Sequence, residues 1–599
     1  MILVYSLTTI IVAAWLMKMV AARQIVFRRT FLDIPLLCFF TAQLASFLFS
    51  IDRHTSLWGY YSRFHGGLLS TITYLFLYWA YVSNIDRRQT LRAIRLALAS
   101  ATLVASYGIL EHFGIDAKYW VQDVRNRVFS TLGQPNWLAA YLVALIPLTW
   151  ALALRNLKKS RWLMFGLLYL CLLYTKSRSG FLGFAASYFV FWLAIFWRQR
   201  KLFKKPFQVF SLTILILSLL VGTPWTPLRS PPATSAGQAP NSQPTTPSDQ
   251  PPLLISESSD IRKIVWQGAV EIWKHYPLFG TGPETFAYSY YWFRPREHND
   301  LSEWDFLYNK AHNEYLNFAA TTGTVGLIGY LGLIGAIIFW FAKSFSKTKK
   351  PLTAALLAGF ASILVTNFFG FSVVAVALFF FLFPAINFTF QQPSPKTVKP
   401  TKKFLLQQWL AIIVIFLATV YCLLFLGRYW YADTRFARGE RLSKAGQPDE
   451  AFNVLQEAVL LRPDEPFFHD QLALAGAQLA VLAHQQENAS LSAQLVQMAV
   501  SESDKTLNAN PYHLNFWKNR TKIFYNLKSL DENYLQEALA ALLRATTLAP
   551  TDAKVKYNLG LLYAQLGQNE TAIEILEETL KLKPNYEEAR QAKELLETL

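Results

Sequence analysis

The chain has 599 residues, 53% of them hydrophobic and only 16% charged, against about 25% charged in an ordinary soluble protein, which excludes a wholly soluble enzyme. The net charge of +18 falls in short basic clusters between apolar runs, a pattern of membrane topology rather than of nucleic-acid binding. Of the 39 Asp and Glu, 23 lie at 428–599, so two solvents are implied: a membrane domain over 1–427, then a water-soluble domain over 428–599.

A membrane helix needs roughly 20 apolar residues. In chain order, apolar runs predict twelve, at 2–21, 31–50, 66–83, 93–112, 136–154, 162–175, 181–197, 206–222, 321–342, 352–368, 372–390 and 404–427. No small-residue cleavage site follows the first, so it reads as a helix and not as a removed signal peptide. Cys38, Cys171 and Cys422 each lie inside an apolar run and offer neither a disulfide framework nor a thiolate metal site.

Alternate connections are basic. They carry Arg23/Arg28/Arg29, Arg87/Arg88/Arg92/Arg95, Arg155/Lys158/Lys159/Arg161, Arg198/Arg200/Lys201/Lys204/Lys205, Lys343/Lys347/Lys349/Lys350 and Lys396/Lys399/Lys402/Lys403, with Asp86 the one acid among them. The other connections mix both signs. The basic side is expected to be cytoplasmic, which puts both termini and the long connection from about 223 to 311 on the outer face of the membrane.

That long connection has two parts. Residues 223–252 hold nine Pro and nine Ser/Thr, a composition that cannot bury a core, so 223–255 is predicted to be a linker. Residues 256–311 carry Trp266, Trp273, Tyr276, Phe286, an aromatic run at Tyr288–Phe293 and Trp304, and read as a folded outer loop.

The tail repeats. Gly560, Tyr563, Gly567, Ala572 and Pro584 stand at tetratricopeptide spacings, and Pro550 lies 34 residues before Pro584 with Ala538 and Ala545 in phase. Gly439, Gly446, Ala451, Ala458 and Pro463 repeat the offsets, and Ala499 with Pro511 marks a degenerate unit between. A 34-residue period means stacked helix pairs. The expected fold is therefore all-α: a polytopic membrane helix bundle of about 12 transmembrane helices, followed by a tetratricopeptide α-solenoid on the extracytoplasmic side. Such arrays bind a protein partner or rigidify a neighbour.

No Walker loop, dinucleotide fingerprint, HExxH or paired zinc-ligand spacing is present. Instead, polar residues collect on the outer side, including His54, His65, His112, His275, His298 and His312. The clearest motif is Lys310-Ala-His312-Asn313-Glu314, followed by Gly323-Thr-Val-Gly326 at the entry to the ninth helix. Before it come Arg262, Trp266 and the turn Gly280-Thr-Gly282-Pro283-Glu284-Thr-Phe286. Earlier stand Ser50-Ile-Asp52, Gly59, Arg63 and Gly66, then Gly133-Gln-Pro-Asn136, then Thr175-Lys-Ser-Arg178-Ser-Gly180.

In this order and topology the motifs, across roughly residues 30–390, resemble the O-antigen ligase/polymerase superfamily, which includes bacterial O-linked oligosaccharyltransferases. Leu327 departs from the Ser or Thr that often follows the second glycine in ligases. The resemblance implies metal-independent, cofactor-free transfer of a glycan from a polyprenyl-diphosphate carrier to an acceptor hydroxyl on the outer face. Arginine suits a diphosphate because its planar fork makes bidentate charge-assisted bonds and stays protonated; Arg63, Arg178 and Arg262 are the candidates. A histidine can take the acceptor's proton; His312 is the candidate base and Asn313 a candidate substrate-binding neighbour.

Each assignment has a structural competitor. His312-Asn313 could cap a helix, Arg178 could be an interfacial anchor, and Arg262 and Arg63 could pair with Asp260 and Asp52. Arg294 and Arg296 read as surface charges, Gly280-Thr-Gly282-Pro283 as a turn, and Gly326, Gly329, Gly332 and Gly335 as close helix packing. The acceptor class stays open among lipid A core, a growing polysaccharide and a protein hydroxyl. Other classes of function are a transporter of lipid-linked glycans, against which stands the scarcity of intramembrane charges, and a non-enzymatic membrane scaffold.

Overall fold

A computed structural model describes residues 1–61, 63–154, 158–226, 258–393, 400–401 and 404–598. Most of the predicted linker lies outside them. Among the described residues there are 23 α-helices and no strand. The first half comprises α1 (Ile2–Ala22), α2 (Asp33–Leu48), α3 (Arg53–Trp58), α4 (Leu68–Asn84), α5 (Arg87–His112), α6 (Pro135–Ala153), α7 (Lys159–Tyr174), α8 (Arg178–Arg198), α9 (Arg200–Val221), α10 (Ser258–His275) and α11 (Phe286–Trp292). Then follow α12 (Glu314–Thr348), α13 (Pro351–Phe368), α14 (Val374–Gln391) and α15 (Leu406–Lys444).

Helices stand at all twelve predicted places, but nine of the described helices are both long and apolar enough to cross a membrane. The other three, α2, α4 and α7, have 16, 17 and 16 residues, under the usual spanning length of about 20. The protein is a multi-pass membrane protein. Its core is α6, whose Leu142–Ile146 segment is wholly buried against aromatic and aliphatic side chains of α7, α8, α13 and α14.

The predicted turn at 280–283 has a specific socket. Helix α12 breaks at Gly323, where φ is 63° and ψ is −168°, a region open to glycine alone among ordinary residues. The broken helix frees backbone groups that must find partners. Thr324 N–H donates to Pro277 O at 2.8 Å and Val325 N–H to Leu278 O at 3.1 Å, while Gly282 N–H donates to Thr321 O at 2.8 Å. A Cβ on Gly323 would lie 2.3 Å from Leu278 O, and one on Gly280 2.3 Å from Thr321 C. The outer loop is thus stitched into the start of a membrane helix. Of the α12 glycines read as packing sites, Gly329 meets Ala42 of α2, whereas Gly332 and Gly335 face open space; the packing reading is corrected for those two.

Beyond the membrane helices the pairs α16 (Pro448–Leu461), α17 (Pro466–Gln485)/α18 (Ala489–Ala509), α19 (Leu514–Leu527)/α20 (Tyr534–Leu548) and α21 (Ala553–Gln565)/α22 (Asn569–Leu582) stack, α16 pairing with the polar end of α15 and α23 (Glu587–Glu597) closing the array. The motif glycines pack directly on leucines: Gly439 on Leu455 and Gly560 on Leu576. The degenerate unit is α17/α18, where Gly476 meets Met498 and Ala499.

The array folds back onto the outer loop. Thr551 Oγ1 donates to Arg294 O at 2.8 Å, Lys583 Nζ to Asn299 O at 2.6 Å, and Lys554 pairs with Asp305. Arg294, expected at the surface, is buried and paired with Asp552 at 3.2 Å.

Candidate active site

Arginines from three separate segments gather around His312. Arg63 stands in the turn between α3 and α4, Arg127 between α5 and α6, and Arg262 in the first turns of α10. The guanidinium of Arg63 lies over the Phe371 ring at 4.6 Å and the Trp137 ring at 5.5 Å. The His312 ring meets Phe371 at 5.4 Å and Tyr308 at 5.9 Å, and makes no side-chain hydrogen bond with a described residue. Phe371 therefore touches both the arginine, over its face, and the histidine, in a T-shaped contact.

Backbone strain gathers here. His312 has φ of 52°, and Phe64, beside Arg63, has φ of 49°. Lys176 and Glu284 are also in the left-handed region, at 47° and 66°. Such conformations in non-glycine residues cost of order 1–3 kcal/mol and persist where surrounding structure imposes them. At His312 the imposition comes from Asn313, whose Oδ1 accepts from Tyr315 N–H at 3.0 Å and Leu316 N–H at 3.1 Å as the N-cap of α12. Asn313 thus anchors the histidine through its carbonyl oxygen.

The electrostatics favour an anion. Burial, then the charges of Arg262 and Arg63, push the His312 pKa down to about 4, so its imidazole is neutral at pH 7 with a free lone pair. Arg262 is itself lowered by burial and by the neighbouring charge of Arg127. Neither proposed loop pair forms: Asp260 pairs with Lys263 at 3.1 Å, and Asp52 accepts from His54 N–H at 2.9 Å, Thr55 N–H at 3.2 Å and the Asn510 amide. Burial lowers the pKa of Arg63, opposed by Glu284, and Glu284 is already tied to buried Lys310. One Arg63 nitrogen, Nη1, is buried with no hydrogen-bond partner.

Arg178 is brought near this group by a chain of bonds rather than by contact. Arg127 donates to Thr175 O at 3.2 Å and Asn136 Oδ1 at 3.4 Å, and Ser177 Oγ donates to the same Asn136 oxygen at 2.8 Å. Ser177 caps α8, which leaves Arg178 exposed at the helix start with no hydrogen bond or ion pair to a described residue. Sequence reading missed Arg127, although like Arg178 it stands apart from the six basic connections. It also missed Trp137 and Phe371, which carry no motif. Among the described residues no group of three His, Cys, Asp or Glu is placed to hold a metal ion.

Fold and side-chain placement together define a polytopic membrane protein in which a histidine lies among arginines from separate connections, continued by a helical repeat array. Residues 162–331 match the O-antigen ligase family, so the chain carries an O-antigen ligase domain; the matched segment includes Arg178, Arg262, His312 and Asn313. Residues 521–599 match the family described as regulator of microtubule dynamics protein 1-3. No curated protein matches the chain. Similar solved structures include MamA from Desulfovibrio magneticus RS-1, at 24% identity over 28% of this chain and 84% of that one, with a TM-score of 0.22. A thermophilic TPR protein of Thermus thermophilus, TTC0263, is 23% identical over 28% of this chain and 80% of its own, with a TM-score of 0.22.

Proposed function

We propose that this protein transfers a glycan from a polyprenyl-diphosphate-linked donor to an acceptor hydroxyl at the outer face of a bacterial cytoplasmic membrane. Residues 1–427 would form the membrane transfer unit with twelve spans, and 428–599 the repeat unit, held outside. What supports the reading is a neutral His312 set among Arg63, Arg127 and Arg262, within a chain that carries an O-antigen ligase domain.

The arginines bind the donor's diphosphate, with Arg178 at the rim. The anion's arrival favours the imidazolium form and raises the His312 pKa from about 4 toward neutrality, so donor binding makes the base stronger. The acceptor oxygen attacks the anomeric carbon and the bond from that carbon to the phosphate oxygen breaks. His312 takes the hydroxyl proton, and the polyprenyl diphosphate leaves with the bonding pair, its charge held by the arginines. A positioned base contributes about 10²–10⁴-fold, and stabilising the departing charge is the larger effect in many enzymes.

The test is reconstitution of the full chain in liposomes with a polyprenyl-diphosphate-linked oligosaccharide and, in separate arms, lipid A core, oligosaccharide and protein acceptors. Glycosylated product with wild type and none with His312→Ala is expected. No product in any arm, with the donor moved across the bilayer instead, would replace transfer by transport.

A further inference from the structure

The turn that carries Arg63 is held from the repeat array. Tyr61 OH donates to Asp433 Oδ1 at 2.7 Å, and its ring stacks on Phe467 at 4.6 Å and meets Phe436 edge-on at 5.5 Å. Phe64, on the other side of Arg63, packs edge-on against Tyr429 at 4.9 Å. At the start of the same segment, buried Asp52 accepts the Asn510 amide. These partners come from the polar end of α15 and from the second repeat, so the turn is bracketed on both sides of the arginine.

The turn's own bonds, from Arg63 N–H at 3.2 Å and Phe64 N–H at 3.1 Å to Tyr60 O, hold a strained backbone. Gly59 and Gly66 have φ of 97° and 91°, and Phe64 has φ of 49°; a non-glycine residue in that region needs outside contacts to stay there. Toward the membrane unit the turn is tied by Tyr5 OH, which donates to Phe64 O at 3.0 Å. The Arg63 guanidinium is then left between Phe371 and Trp137, beside His312, with one nitrogen unpartnered.

We infer that the repeat array is a built-in part of the transfer site, and that Tyr61 is a positioning residue that aims Arg63 at the donor's diphosphate. This rests on the proposed function for its catalytic half only; the clasp on the turn stands apart from it. The array's docking surface for the membrane unit is consequently occupied by its own chain.

The test uses the full chain in lipid nanodiscs with Tyr61→Ala, Tyr61→Phe and, as a remote control on the last helix, Lys593→Gln. Trypsin cuts after arginine, and cleavage after Arg63 reads the clasp without any transfer assay. Tyr61→Ala should open that site at least tenfold faster than wild type, while Tyr61→Phe, which keeps the ring stack, stays within about threefold. In transfer, Tyr61→Ala should raise the KM for the lipid-linked donor about tenfold or more with kcat changed far less, Tyr61→Phe should recover most of that, and Lys593→Gln should move neither. Trypsin resistance at Arg63 in Tyr61→Ala equal to wild type overturns the clasp, and an exposed Arg63 with an unchanged KM overturns its positioning role. If wild type shows no transfer, the function fails and the proteolysis still decides the clasp.

Discussion

Arg294 and Asp552 stand 258 residues apart in the chain and meet in a buried ion pair, 3.2 Å between Nη1 and Oδ2. The arginine comes from the outer loop after α11 and the carboxylate from the N-cap of α21, where it also accepts Lys554 N–H at 3.0 Å. One side chain therefore caps the start of a helix and joins the repeat array to the loop that follows α11. Removing one partner of a buried pair costs about 3–5 kcal/mol because the other charge is left desolvated. Arg294→Met should fall at the low end, since Lys518 remains 3.7 Å from the same carboxylate. Thermal unfolding and protease release of the repeats should both move to lower temperature; an unchanged melt would show that the pair does not hold the array.

His312→Ala should abolish transfer while the protein still inserts and accumulates as wild type does. The pH profile gives a finer check. In the free protein the His312 pKa lies near 4, below the ordinary 6.5. The neutral form therefore persists down to about that pH, and kcat/KM should stay level from pH 7 to about 5.5 before falling. A fall centred on 6.5 would mean that the base is not in this buried, arginine-flanked site. Stability runs the same way: between pH 6.5 and 4 the unfolded chain takes up the proton more readily, so this residue costs stability as pH drops through that window, and His312→Gln should flatten that part of the curve.

Arg262→Lys and Arg127→Lys keep the charge and lose the bidentate fork. Each should weaken donor use by roughly 10–100-fold, the equivalent of about 1.5–3 kcal/mol for a charged hydrogen bond. Arg178, exposed at the start of α8, should show a smaller effect. Cysteines placed at 178 and 262 should both react with impermeant reagents from outside intact spheroplasts; labelling of either from the cytoplasmic side alone would sink the shared site.

Gly323→Ala places a Cβ 2.3 Å from Leu278 O at a φ of 63°. The stitch between the outer loop and α12 must then open, and the variant should lose yield and melt at lower temperature. Gly335→Ala, with nothing within 4 Å of its Cβ, should match wild type or gain slightly from helix propensity. Equal behaviour of the two variants in size-exclusion yield and melting would refute the socket.

Transfer should survive EDTA. The positive charge at the site comes from three arginines, and no group of three ligating side chains stands together among the described residues. Loss on chelation, restored by Mg²⁺ or Mn²⁺, would move the reaction to a metal-dependent class.

Local chemistry made much of this legible. Apolar length marked the places of the twelve helices, because a chain in lipid must satisfy its backbone within each segment, and the 34-residue period marked the stacked pairs. The motifs between the apolar runs singled out His312, Arg63, Arg262 and Arg178 as candidates. Which of them come together was decided by tertiary structure, since the cluster joins residues from connections far apart in sequence through rings, Trp137 and Phe371, that have no signature of their own. Arg127 escaped because one cation among Lys118, Arg125, Asp116 and Asp123 in a mixed-sign loop looks like any surface charge until Arg262 lies beside it. Arg294 and Tyr61 escaped for the same reason: the sequence determines that the tail is a solenoid, but its burial of Arg294, Asp52 and the Arg63 turn depends on how the array packs against the outer loop, and packing between distant segments leaves no periodicity to read.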